Sequence, residues 1–322
     1  DDMMGDDDAG SAGTSDPIDG RWNNDRSEFV FTANATYNID DPTYGPPPPA
    51  GQTVHEHFTL QEIHPGFPRF PVDDIPPSQQ VFLHEADGTN VQLTNPFTED
   101  WRDALDAGDA RSNTDPVLSP NGQYVVFTDT SSITGESFLL SLDIATGAVL
   151  NLTNGTAGAE QVNDQQPAWS PDSQDIAFTT TLGGSTEVYV MNATDGTKVT
   201  TVTDDNAYDM DPAWSPDGQF IVYSHYDAPL APTPGEIDSL VNLPRSGWTL
   251  NKVDVATGQE TVLTSADQSP TWRPVFSPDG SEINFVGWQY QTTDLFQTSA
   301  NGGAVTPLLI TPAIDETSVD WK

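Results

Sequence analysis

The sequence predicts an all-β chain in which one four-stranded unit is written several times over. Three observations carry that reading. The stretch Asp211-Pro-Ala-Trp-Ser-Pro-Asp-Gly-Gln-Phe-Ile-Val-Tyr-Ser224 recurs, with small changes, from Asp115, from Gln166 and from Arg273. Each copy ends in a β-branched and aromatic run such as Phe220-Ile-Val-Tyr223 or Tyr124-Val-Val-Phe127, the composition of a strand packed on both faces. A second tight turn follows at Asp87-Gly88, Thr146-Gly147, Asp195-Gly196, Thr257-Gly258 and Asn301-Gly302-Gly303. Four short strands with two hairpins, unable to bury both faces alone, form a β-propeller blade.

Taken in order, each element has a local cause. The first strand of a repeat ends on Leu118, Trp169, Trp214 or Phe276. Ser-Pro-Asp-Gly then turns the chain: Pro presets φ, Asp bonds nearby backbone, and Gly accepts φ > 0. The apolar second strand follows. The third and fourth are typified by Glu187-Val-Tyr-Val-Met-Asn192 and Lys198-Val-Thr-Thr-Val-Thr203.

Residues 1–19 form an acidic, Gly/Ser-rich tail that orders only against a neighbouring subunit, the propeller face or bound cations. A worn copy of the repeat opens the propeller, residues 20–322, with Trp22 and Phe29-Val-Phe31. Long insertions fall at about 37–78, around Pro46-Pro-Pro-Pro-Pro-Ala50, and at 227–246. Residues 98–111, acidic first and basic last, predict a short helix. A truncated copy, Ser318-Val-Asp-Trp-Lys322, ends the sequence. Complete sets of outer strands number five, whereas inner-strand copies number six, at Trp22, Leu118, Trp169, Trp214, Phe276 and Trp321. Five blades are favoured, the C-terminal strand packing beside the first. The alternatives are a sixth, degenerate blade in the first insertion, or a surplus strand that pairs with another molecule.

With these motifs the chain resembles the TolB-like, WD40-related β-propellers, whose PD40 repeat is Pro-x-Trp-Ser-Pro-Asp-Gly followed by an apolar strand. The resemblance covers roughly residues 20–322 and is specific for the fold. For function it implies several classes: protein-binding modules such as a periplasmic scaffold, lids on serine peptidases, and some polysaccharide-degrading enzymes. No Gly-x-Ser-x-Gly elbow is present for the peptidase class. The lyase class uses several histidines on one face, and here His84 and His225 stand isolated.

Acidic residues number 49 against 10 basic ones, a net charge of −39. Such a surface repels nucleic acid and anionic lipid and attracts cations. It fits adaptation to salty surroundings, calcium binding or a cationic partner. There is no cysteine, which excludes disulfides and thiolate metal sites, and no run long enough for a membrane span. A chain opening Asp-Asp-Met-Met reads as a processed mature form.

Candidate sites are few. Asn113, Asp164, Asp209 and Glu316 each lie five positions before the aromatic or apolar end of an inner strand. At one mouth of a central channel they would form a cation-binding ring, which Thr271 at the equivalent place weakens. Their alternative role is capping the turn that enters each strand. His55-Glu-His57, with His64, puts two imidazoles on one face of a strand, the geometry of a metal site that still lacks a third ligand. Asn34, Asn151, Asn154 and Asn192 begin glycosylation acceptor triplets.

Together these features point to a non-enzymatic secreted or cell-surface propeller that binds or assembles, in its sharper form a self-associating filament subunit. A metal-dependent polysaccharide-degrading enzyme and a periplasmic protein-binding scaffold are the alternatives.

Overall fold

Each Ser-Pro-Asp-Gly turn is closed by its own side chains. The Ser215 hydroxyl donates to Asp217 Oδ1 at 2.6 Å. That oxygen accepts the Gln219 N–H, and Ser215 Oγ accepts the Phe220 N–H. The pattern repeats at Ser119–Asn121, Ser170–Asp172 and Ser277–Asp279. The fourth turn residue takes φ near +70° at Gly122, Gly218 and Gly280. Ser173 occupies the same place at φ 61°, where a side chain is strained.

The computed structural model describes residues 19–22, 29–35, 78–84, 90–94, 111–131, 134–153, 163–182, 185–197, 199–205, 207–227, 247–266, 271–289 and 292–309. They form five four-stranded antiparallel sheets, each built from strands consecutive in the chain. The first holds β1 (Asp19–Trp22), β2 (Phe29–Ala35), β3 (Ser78–His84) and β4 (Asn90–Gln92). The second holds β5 (Arg111–Leu118), β6 (Tyr124–Ser131), β7 (Ser137–Asp143) and β8 (Val149–Asn151). The third holds β9 (Asp164–Trp169), β10 (Asp175–Thr180), β11 (Glu187–Asn192) and β12 (Thr200–Thr201). The fourth holds β13 (Tyr208–Trp214), β14 (Phe220–Tyr226), β15 (Trp248–Asp254) and β16 (Glu260–Val262). The fifth holds β17 (Thr271–Phe276), β18 (Glu282–Gln289), β19 (Thr292–Ser299) and β20 (Thr306–Leu309).

Apolar clusters fill the seams between consecutive sheets. Val30, Val81 and Leu83 of the first pack with Val125, Phe127 and Leu140 of the second. Val126 and Leu139 meet Trp169, Ile176 and Phe178. Ala177 and Val188 meet Ile221, Tyr223 and Val253. The last of these seams is the heaviest, with Val222 and Leu250 against Phe285 and Phe296, and Trp248 against Trp272. Burial of this kind contributes roughly 25 cal/mol per Å² of apolar surface, so the seams dominate stability. The Nε1 of Trp169 donates to Val117 O, and that of Trp214 to Ala168 O, each reaching back one sheet.

A threonine fastens the outer strand of the first four sheets. Thr94, Thr153, Thr203 and Thr264 each follow the fourth strand of a sheet by two residues. Their buried hydroxyls accept the N–H groups of Val81, Leu139, Val188 and Leu250 at 2.8–3.0 Å.

The five complete strand sets read from sequence are the five sheets of the described residues. Both long insertions leave between the second and third strands of a sheet, from Ala35 to Ser78 and from Tyr226 to Trp248, and their interiors lie outside the described residues. The acidic tail to residue 18 and the terminal copy at Trp321 also lie outside. One expectation is corrected. Arg111, assigned to the basic end of a helix, is the first residue of β5, where its guanidinium pairs with Asp129 at 2.6 Å. A buried carboxylate on the neighbouring strand, two places along the ladder from Arg111's own partner Ser131, outweighs local helix pattern. The rest of that proposed helix falls outside the described residues.

Candidate functional site

The inner strands β5, β9, β13 and β17 carry the candidate ring residues in register. Asn113 faces Asp129 on the neighbouring strand, Asp164 faces Thr180, Asp209 faces His225, and Thr271 faces Gly287. Asn113, Asp164 and Asp209 are buried, at 0%, 1% and 0% exposure, and so is Thr271. Glu316 and the histidines at 55, 57 and 64 lie outside the described residues.

Burial pushes the Asp164 carboxyl up to about 6, against the opposing pull of the Thr180 and Thr153 hydroxyls. At Asp209 burial again raises the carboxyl, opposed by a hydrogen bond and charge attraction from His225. The His225 Nδ1 lies 2.7 Å from Asp209 Oδ1, and that bond raises the imidazole above its ordinary value despite burial. Of the four register positions, only the fourth sheet sets an imidazole against a carboxylate.

Two further acids complete the surroundings. Asp205, exposed in the connection before β13, joins Asp209 and His225 in a group whose ligand atoms all lie within 4.8 Å of one another. Glu187, on β11 of the preceding sheet, accepts from Ser185 at 2.6 Å and from Thr203 at 2.7 Å. Burial, with repulsion from Asp209 and Asp205, raises Glu187 to about 7 although both hydroxyls favour its charged form. The cluster thus straddles the third and fourth sheets, held by the Asp209 N–H donating to Thr186 O. Sequence reading found Asp209 but set His225 aside as isolated, because β-sheet register, not chain spacing, brings the two together.

A second constellation was missed altogether. Asp115, Gln166, Asp211 and Arg273, each followed by proline, have φ of 49–54° and sit at breaks in the ladder register. Gln166 Oε1 accepts the Thr179 hydroxyl and the backbone N–H of Asp211. Residues before proline are normally extended, so sequence alone gives no warning of the bulge. The available signal was a polar residue before Pro in all four good copies.

Of the glycosylation triplets, Asn151-Leu-Thr153 ends in a fully buried threonine whose hydroxyl is bonded to Leu139 N–H. In Asn192-Ala-Thr194 the Asn192 side chain accepts the Thr194 N–H within a tight turn. The side chain of Asn34 and all of Asn154 lie outside the described residues.

Comparison with known proteins agrees with this architecture. The TolB β-propeller domain model, PD40, matches residues 84–231. The matched residues, just under half of the chain, resemble the TolB-like PD40 propeller repeat. Protein TolB homologues of Chlorobium chlorochromatii and Chlorobaculum tepidum are each 30% identical over 122 residues, covering 38% and 37% of this chain. Those alignments span only 23% of the relatives' own length. Among solved structures, putative TolB from Agrobacterium tumefaciens superposes with a TM-score of 0.57 at 14% identity, covering 90% of this chain and 79% of that one. TolB from Acinetobacter baumannii gives 0.54 at 19% identity, covering 88% and 52%. A puromycin-hydrolyzing peptidase of Mycobacterium tuberculosis gives 0.53 at 12% identity, covering 88% of this chain but 36% of the peptidase. At these identities the structural likeness establishes the fold. No helix among the described residues is long and apolar enough to cross a membrane.

Proposed function

We propose that this TolB-like propeller is a non-enzymatic, protein-binding scaffold of an exported compartment, periplasmic or extracellular, that favours a cationic partner. The PD40 repeats and the two TolB homologues support the class, and the net charge of −39 supports the sign of the partner. The observation that carries it is the combination of a repeat shared with TolB homologues and strands whose polar groups are largely spent on holding turns and seams. Such a scaffold offers a rigid surface on which loops and insertions vary freely.

Carbodiimide labelling of carboxylates, with and without a lysine-rich peptide, tests this reading. Protection confined to one face, and weakened by salt, is the expected result. Diffuse protection, or none, would remove the partner assignment. Electron microscopy of the same material tests the self-assembly form: polymers at native salt would place the chain's partner in a second copy of itself.

A further inference from the structure

We propose that Asp205, Asp209 and His225, at the seam of the third and fourth sheets, bind a divalent transition ion of the zinc class. The inference goes beyond the scaffold reading and does not depend on it. One ligand atom from each residue lies within 4.8 Å of the other two. In a tetrahedral site with bonds of about 2.0–2.2 Å, ligand atoms stand roughly 3.4 Å apart, so small side-chain movements suffice. Two of the three already touch, Asp209 Oδ1 and His225 Nδ1 at 2.7 Å. An ion there takes the place of the proton that the pair shares.

A second observation points to a ligand. The Asp209 side chain is wholly buried, yet its Oδ2 has no hydrogen-bond partner. The hydroxyl nearest in role, Thr203, has a single proton and donates it to Glu187 Oε2 at 2.7 Å. Buried carboxylate oxygens left without a donor are costly, and a cation removes that cost. Asp205 is exposed, so it supplies the entry side of the site while β13 and β14 fix the other two ligands.

The donor set selects the ion. Calcium needs six to eight oxygens, whereas two carboxylates and one imidazole suit zinc or cobalt with water in the fourth place. Among the described residues, the equivalent positions of β5, β9 and β17 do not offer this set. Asp164 faces Thr180, Thr271 faces Gly287, and Asn113 faces an Asp129 already paired with Arg111.

The test is zinc titration of the chelator-stripped chain by calorimetry, with cobalt absorption as a second readout. Expected are one stoichiometric site, cobalt bands in the tetrahedral range, and affinity that falls as pH drops from about 8 to 6 because protons compete. Asp205→Asn, at an exposed position that leaves the fold intact, should weaken zinc at least about tenfold, and His225→Gln more. His55→Gln combined with His57→Gln should leave binding unchanged. Zinc binding that is absent, equal in Asp205→Asn and the parent, or lost in the His55/His57 variant would overturn the proposal.

Discussion

The Oδ2 atom of Asp211 accepts the backbone N–H of Arg273 at 3.1 Å, and the two residues hold the same position in consecutive sheets. One sheet earlier, Gln166 Oε1 accepts the N–H of Asp211 at 3.0 Å. Bulge residues of the third, fourth and fifth sheets are thereby linked in series, the Gln166 and Asp211 side chains each capping the next strand's part-buried donor. Their positive φ costs roughly 1–2 kcal/mol apiece, which these bonds and the bulge packing offset.

Asp211→Ala should therefore lower unfolding stability by about 1–3 kcal/mol, since it strands a part-buried N–H and puts a poor residue at φ 54°. Asp211→Asn keeps an acceptor of the same shape and tolerates that φ, so most stability should survive. Urea denaturation of both variants gives the comparison. Equal losses would mean that charge, not the acceptor, matters.

Gly196 is demanded twice over. Its φ is +67°, and a Cβ there would clash with the carbonyl oxygen of Leu152, the residue that follows β8 of the preceding sheet. Gly196→Ala should cost more than about 2 kcal/mol and expose the seam holding Leu152 and Trp169. Tryptophan fluorescence during denaturation would report both effects, and an unchanged midpoint would show that the turn simply swings away.

Ser173→Gly should act in the opposite direction. It relieves a φ of 61° while losing only an exposed 3.2 Å bond from Asn121 N–H. A gain of about 0.5–1 kcal/mol is expected, read as a higher urea midpoint at unchanged slope. A loss would mean that the cross-sheet bond outweighs the strain.

The pH response follows from groups with raised values. Asp164 at about 6, Glu187 at about 7 and a raised His225 all bind protons more tightly in the folded state than when unfolded. Their contribution is full below the unfolded values and is lost as pH rises through the folded ones. Tm should therefore fall between about pH 4.5 and 8, and Glu187→Gln should flatten that slope. Asp279, lowered to about 2 by Ser277 and the Ser281 amide, works the other way and only below about pH 4. A Tm that climbs from pH 5 to 8 would contradict the assignment.

Salt should also stabilise the chain. With a net charge of −39, shortening the range of repulsion to about 10 Å at 0.1 M ought to raise Tm steadily. Calcium at equal ionic strength ought to raise it further, by direct contact with carboxylates. A flat response to both salts, followed by calorimetry, would show that the charges are too dispersed to matter.

The repeat was legible because its signals are local. Pro-Asp-Gly turns, apolar second strands and the Trp ending β9 or β13 each declare their role within a few residues. The site was half legible. Asp209 could be picked out by its offset from Trp214, but His225 becomes its partner only through antiparallel pairing across a two-stranded span. Glu187 and Thr203 come from another sheet, a relationship that no single-chain spacing encodes. Arg111 was misplaced for the same reason, its decisive neighbour being Asp129 across the ladder.

The threonine-fastened outer strands have a consequence for how molecules of this kind keep apart. β4, β8 and β16 are three residues long and β12 only two, so each rim offers a neighbour almost no ladder to extend. Sideways stacking of rims into an amyloid-like ribbon is thereby starved of template at these edges. At these four edges, lasting contact with another protein falls to a face, a loop or a chain end.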